Sequence, residues 1–161
     1  MKARIAIICI FALACGPLAA QREIPFVKKN DLLRWKNSRA DTTYVINFWA
    51  TWCGPCVEEL PAFEKLNRRA AKSGRIRVIL VSVDFKRNVQ NAVAPFVEKN
   101  KLGSEVVFLD EPNANRYIND ISPDWSGAIP ATLFVNGARN YLRFHEGKLS
   151  YRALKRLAKP R

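Results

Sequence analysis

Apolar residues along this chain fall in blocks with two different periods. Thr43-Tyr44-Val45-Ile46-Asn47-Phe48-Trp49 is nearly continuous and rich in β-branched and aromatic side chains, the pattern of a central strand covered on both faces. Ile76 to Asp84 repeats it, Val106 to Leu109 is a shorter version, and Ala131 to Val135 is a fourth. Tyr141 to His145 alternates like a hairpin partner, across the turn signal Asn136-Gly137. Between these strands the spacing turns helical. Leu60, Phe63, Leu66 and Ala70 share one face, and Gly74 suits the left-handed position that ends such a helix. Pro61 lies inside it and cannot donate to the Val57 carbonyl, which predicts a kink. Val89, Ala92, Val93, Phe96 and Val97 mark a second amphipathic helix that stops by Gly103. Asp31 is the expected cap of a short helix through Leu32, Leu33 and Trp35, and Ser150 that of a final one through Tyr151, Leu154 and Leu157. Gln21 to Lys29 is polar and extended, and Asp110 to Ser126 is polar with a helical turn near Tyr117-Ile118. Strands alternating with helices, then a hairpin and a helix, predict an α/β domain with parallel crossovers and one antiparallel pair.

The first twenty residues follow a different rule. Lys2 and Arg4 precede an apolar run from Ile5 to Ala14, then Gly16-Pro17 and the small pair Ala19-Ala20. That is the order of a secretory signal peptide, and the run is shorter than the roughly 20 residues a membrane span needs. The expected division is a signal at 1–20 and one domain at 21–161. Lipid attachment at Cys15, in Ala12-Leu13-Ala14-Cys15-Gly16, and an uncleaved anchor are the alternatives.

The leader changes the meaning of the cysteines. Of Cys9, Cys15, Cys53 and Cys56, only Cys53 and Cys56 remain after cleavage. No disulfide framework is available, although an oxidising compartment would allow one. A zinc site needs about four ligands, and His145 is the one histidine, so no metal is expected. The formal charge is +13; losing the first twenty residues removes Lys2 and Arg4 and no acid, which leaves +11. That excess suits an acidic partner or an anionic membrane surface, or is a dispersed, solvated surface. Export argues against nucleic acid.

Cys53-Gly54-Pro55-Cys56 lies where the first strand gives way to a helix. A Cys-x-x-Cys pair there points to thiol–disulfide chemistry, because two intervening residues let both sulfurs lie within one helical turn. Cys53 falls at the helix N-terminus, where free N–H groups and the dipole favour a thiolate. Cys56, one turn in and less exposed, is the resolving thiol. Pro55 suits a first helical turn, where its missing N–H costs nothing.

Trp52-Cys53-Gly54-Pro55-Cys56 after Val45-Ile46-Asn47-Phe48-Trp49-Ala50 resembles the active site of the thioredoxin superfamily. Asn47 and Cys56-Val57-Glu58-Glu59-Leu60-Pro61 are most similar to its exported TlpA/ResA-like thiol–disulfide oxidoreductases. The resemblance covers about residue 25 to the C-terminus. It implies a thioredoxin-like fold, a central mixed sheet flanked by helices, with a helix–strand insertion between Lys86 and Leu109. It also implies that Pro130 is cis, lies against the cysteines, and leaves the Ile129 main chain to pair with a client; the plain alternative is a strand-start proline. Where cytoplasmic thioredoxin has a buried Asp, this chain has Asn47, which cannot shuttle a proton. Glu59, three residues past Cys56, matches the carboxylate of the TlpA/ResA-like proteins and is the candidate acceptor for the Cys56 proton; otherwise it is a solvated helix-start glutamate. Trp52 flanks the outer sulfur or simply packs, and Trp125 divides evenly between client contact and packing.

The resulting expectation is an exported reductase of client disulfides, with apocytochrome c among the client classes the resemblance implies. It needs a membrane-linked electron donor and no cofactor. The rivals are an oxidase or isomerase, which Gly54-Pro55 disfavours by resemblance to reducing members, and a non-catalytic client-binding module on the same scaffold.

Overall fold

The computed structural model describes residues 23–160. In chain order its main elements are β1 (Phe26–Val27), α1 (Lys29–Lys36), β2 (Thr43–Trp49), α2 (Gly54–Ala70), β3 (Ile76–Ser82), α3 (Ala94–Lys99), β4 (Glu105–Leu109), α4 (Ile118–Ile121), β5 (Ala131–Asn136), β6 (Tyr141–Glu146) and α5 (Tyr151–Leu157). The strands form one sheet in the order β1-β4-β3-β2-β5-β6. β1, β4, β3 and β2 are mutually parallel, and β5 is antiparallel to both β2 and β6. This is the thioredoxin-like arrangement, with α3 and β4 as the insertion. The leader lies outside the described residues.

The apolar runs behave as their composition demands. Val45 and Trp49 of β2 join Leu60, Phe63 and Leu66 of α2 and Leu154 of α5 in one buried cluster. Ile46 and Phe48 join Leu32 of α1, Ile121 of α4 and Trp125 in the other. Successive residues of one strand therefore serve opposite faces, and both faces are covered by helices. Each fully buried Leu or Phe contributes about 1.5–3 kcal/mol relative to exposure, so this two-sided burial is what fixes the height of β2 in the sheet.

Three local expectations need correction and one gains detail. Asp31 does not cap α1; Lys28 holds the cap position, and the Asp31 carboxylate accepts the Lys28 backbone N–H at 2.9 Å from within the first turn. The stretch before α1 is extended, as expected, and pairs as a short strand: Phe26 with Phe108 and Val27 with Leu109. The periodic segment at 89–97 is a 3₁₀ turn (Lys86–Asn88), a π-helical turn (Val89–Val93) and then α3. Pro95 explains the break, because it has no N–H to give the carbonyl four residues back. The hairpin after Asn136 is longer than two residues: a 3₁₀ turn (Gly137–Arg139) and left-handed Asn140, φ 48°, intervene. Asn136 Oδ1 caps that turn by accepting the Arg139 N–H at 3.1 Å. α2 continues through Pro61, and Gly74 adopts φ +63° just beyond it.

Candidate active site

β2 delivers its last residue, Trp49, to the end of the sheet where the parallel strands finish. A short turn then leads into α2, and Asp84 holds that turn. Its carboxylate accepts the Thr51 N–H at 3.1 and 3.2 Å, the Thr51 hydroxyl at 2.5 Å and the Ser82 hydroxyl at 2.8 Å. Asp84 is only 6% exposed, so these donors stand in for lost water. Nothing in the periodicity singled out Asp84; the available signal was a Ser-x-Asp triplet at the end of a buried strand.

Cys53 caps α2, and its Sγ accepts the Cys56 N–H at 3.3 Å. The two sulfurs are joined as a disulfide. Both cysteines are buried: 6% of Cys53 and none of Cys56 is exposed. Gly54 and Pro55 lie exposed between them, and Gly54 has open space around its Cα. Trp52, immediately before the pair, is 61% exposed, as is Phe85 in the loop after β3. The Ile129–Pro130 peptide bond is cis. Cys53 Sγ lies 3.8 Å from the Ile129 carbonyl oxygen, which brings Trp52, Cys53, Ile129 and Pro130 to one end of the molecule.

Glu59 lies behind the pair, one turn beyond Cys56 on α2 and 2% exposed. Its Oε1 accepts Asn47 Nδ2 at 2.8 Å and its Oε2 accepts the Leu149 N–H at 2.7 Å. Burial pushes the Glu59 carboxyl above its ordinary range; these two hydrogen bonds and the Lys148 charge pull back against it. Glu59 is therefore not a solvated helix-start carboxylate. Glu58 beside it is solvated, paired at the surface with Lys148. Asn47 also donates to Thr132 Oγ1 at 3.1 Å, so its amide ties β2 and β5 to Glu59. Its Oδ1 is buried with no hydrogen-bond partner. Sequence reasoning marked Asn47 only as unable to move a proton and missed this holding role.

Trp125 packs rather than meeting solvent. It is 5% exposed, with its ring 4.5 Å from that of Phe48, and its Nε1 donates to the Ala128 carbonyl at 2.8 Å. It props the loop that carries Ile129 and Pro130. His145 stands on β6 opposite Thr132, near the start of β5. Among the described residues no cluster of three or more His, Cys, Asp or Glu side chains is arranged to hold a metal ion, and no helix is long and apolar enough to cross a membrane.

A family model described as Redoxin matches residues 26–136, from β1 to the end of β5. The chain belongs to the Redoxin family. Among curated relatives of this Redoxin, the thioredoxin-like protein YneN of Bacillus subtilis is 32% identical over 48% of this chain and 44% of its own. Sporulation thiol-disulfide oxidoreductase A of the same organism is 32% identical over 39% of this chain and 38% of its own. Thiol-disulfide oxidoreductase ResA of Halalkalibacterium halodurans is 26% identical over 65% and 54%. The Redoxin chain thus spans about half, or less, of the length of these relatives. The crystal structure of StoA from Bacillus subtilis superposes with a TM-score of 0.57 at 23% identity, covering 74% of this chain and 84% of that one. A thioredoxin-family thiol:disulfide interchange protein from Chlorobium tepidum gives 0.55 at 22%, covering 78% and 81%. At those identities the likeness speaks for the fold.

Proposed function

We propose that this Redoxin is an exported thiol–disulfide oxidoreductase that reduces disulfides in client proteins through Cys53 and Cys56. The observation that carries the reading is the asymmetry of the pair. Cys53 caps a helix beside the Ile129 carbonyl and keeps 6% of its surface exposed, while Cys56 is fully buried with Glu59 one turn behind it. In the reduced protein, the α2 N-terminus favours the Cys53 thiolate. That thiolate attacks one sulfur of a client disulfide. A Cys53–client bond forms, the client disulfide breaks, and the departing client sulfur takes up a proton. Cys56 then gives its proton to the Glu59 carboxylate and attacks Cys53 Sγ. The Cys53–client bond breaks, the second client sulfur leaves as a thiolate, Glu59 releases the Cys56 proton to it, and Cys53–Cys56 is closed. Two electrons have passed from the pair to the client; of the client's two protons one is that of Cys56 and the other comes from solvent, because Cys53 started as the thiolate.

Trp52 and the main chain at Ile129 and Pro130 supply the surface on which an extended client lies. Gly54 and Pro55 between the sulfurs resemble the dipeptide of the reducing members, which supports the reductive direction. The leader motif at 1–20 supports export, with cleavage after Ala20 or lipid attachment at Cys15. An exported reductase needs a membrane-linked electron donor, because its surroundings are oxidising. Clients are disulfide-containing exported proteins, the cysteines of apocytochrome c among them.

Reduction of insulin by dithiothreitol, followed as turbidity, tests the reading. The wild type accelerates precipitation and Cys53→Ser does not, whereas Cys56→Ser accumulates a mixed disulfide with the client on a non-reducing gel. A wild-type trace matching the enzyme-free control would overturn catalysis in either direction.

A further inference from the structure

The end of the molecule opposite the cysteines carries a second surface. β2 begins at Thr43 and ends at Trp49, which separates the two ends of the sheet by about 20 Å. At the Thr43 end, the loop after α2, the β5–β6 turn and the end of α5 enclose a depression of about 300 Å³ lined by Arg75, Arg139 and Lys159. A second depression of about 350 Å³ adjoins it, shares Arg139 and Lys159, and adds Arg143 and Arg156. All five cations are exposed. Asp41 is the one acid in either lining. It is already committed to Arg139, at 2.7 and 3.0 Å, an arrangement that holds its carboxyl down at about 2. Four positive charges of the lining therefore remain without a carboxylate in it.

We propose that this basic end docks the protein on an anionic phospholipid surface, with the Cys53 end facing away from it. The inference rests on the export reading, which puts the chain beside a membrane and away from nucleic acid. Two features favour a lipid surface over an acidic client. The patch lies at the far end from the sulfurs, so holding a client there does not bring its disulfide to Cys53. Among the described residues, three of the four large apolar side chains that are exposed, Phe26, Trp52 and Phe85, lie with β1, the cysteine turn and the β3 loop, at or toward the other end. Attachment at the basic end is thus electrostatic, strengthens partitioning about fivefold per cation near the surface, and fades as salt screens it. It leaves the catalytic face open.

Vesicle co-sedimentation of the chain from Gln21 onward, which contains both buried clusters, tests this. Phosphatidylglycerol-containing vesicles should retain the protein at about 50 mM salt and release it progressively by about 300 mM, where the Debye length has roughly halved; pure phosphatidylcholine vesicles should not retain it. Arg75→Glu/Arg143→Glu/Arg156→Glu should weaken retention at least tenfold. Arg34→Glu/Arg87→Glu/Lys99→Glu, an equal change in net charge elsewhere, should weaken it by less than threefold. Equal losses in the two triple variants, no retention of the wild type on anionic vesicles, or tighter binding to duplex DNA than to those vesicles at the same salt would each overturn the assignment. Insulin reduction by the Arg75/Arg143/Arg156 variant should equal that of the wild type, so failure of the docking proposal and failure of the redox reading are separately visible.

Discussion

Glu59 is the residue whose environment and proposed task are most tightly coupled. Its folded-state pKa is raised above its ordinary 4.5, burial being the main cause. A raised carboxyl pKa means that the folded protein binds the proton more tightly than the unfolded chain. The Glu59 contribution to stability is therefore fully present below about pH 4.5 and is lost as pH rises through the folded pKa. Glu59→Gln should remove that slope. Denaturant unfolding at pH 4 and pH 8 should show the stability difference, wild type minus variant, falling as pH rises; a difference that grows would contradict the assignment of burial as the dominant cause. The same variant should slow the resolving step, seen as longer-lived mixed disulfide, with Cys53 attack little changed. Much of this was legible in the sequence, because Cys53, Cys56 and Glu59 fall within seven consecutive residues and helical spacing fixes their relation. The partners of Glu59 were not. Asn47 and Leu149 come from β2 and from the loop before α5, 12 and 90 residues away, and no local pattern links them. Asp84, 33 residues from the Thr51 it holds, was hidden for the same reason. Asp84→Ala would strip acceptors from the Thr51 N–H and two hydroxyls. It should cost about 1–3 kcal/mol in urea unfolding.

At the scale of elements, strands and long helices were readable from periodicity, and their junctions were not. β2 and α2 were legible because burial on two faces and on one face leave different residue patterns. β1 was not, since two residues carry no period and its place depends on the exposed edge of β4. The insertion is fastened by a side chain equally invisible in sequence: Glu64 of α2, 5% exposed, accepts the Gly103 and Ser104 N–H groups at 2.9 and 3.0 Å. Glu64→Ala leaves those two donors bare ahead of β4 and should lower unfolding free energy by about 1–3 kcal/mol, with the reduction potential unchanged. The β5–β6 turn offers a second test. A Cβ at Gly137 would fall 2.0 Å from the Ser38 carbonyl oxygen, so Gly137→Ala must displace the segment between α1 and β2. A loss of about 1–3 kcal/mol is expected by urea unfolding, and an unchanged midpoint would show that the approach is looser than described.

The whole molecule separates two kinds of surface across one sheet. The parallel strands carry the cysteine turn, the Asp84 loop and the Ile129–Pro130 loop to one end, while Arg75, Arg139, Arg143, Arg156 and Lys159 line the depressions at the other. Fold class followed from element order, and the redox site from its motif. The separation of the two ends did not, because net charge says nothing of where charge lies until topology places it. The central claim is that Cys53 and Cys56 serve as an electron donor to client disulfides. Equilibration of the pair against a glutathione or thioredoxin couple measures its reduction potential directly. The account predicts a value at or below about −250 mV, near the reducing end of the thioredoxin range, and a value above about −180 mV would contradict it and make the protein an oxidant or isomerase.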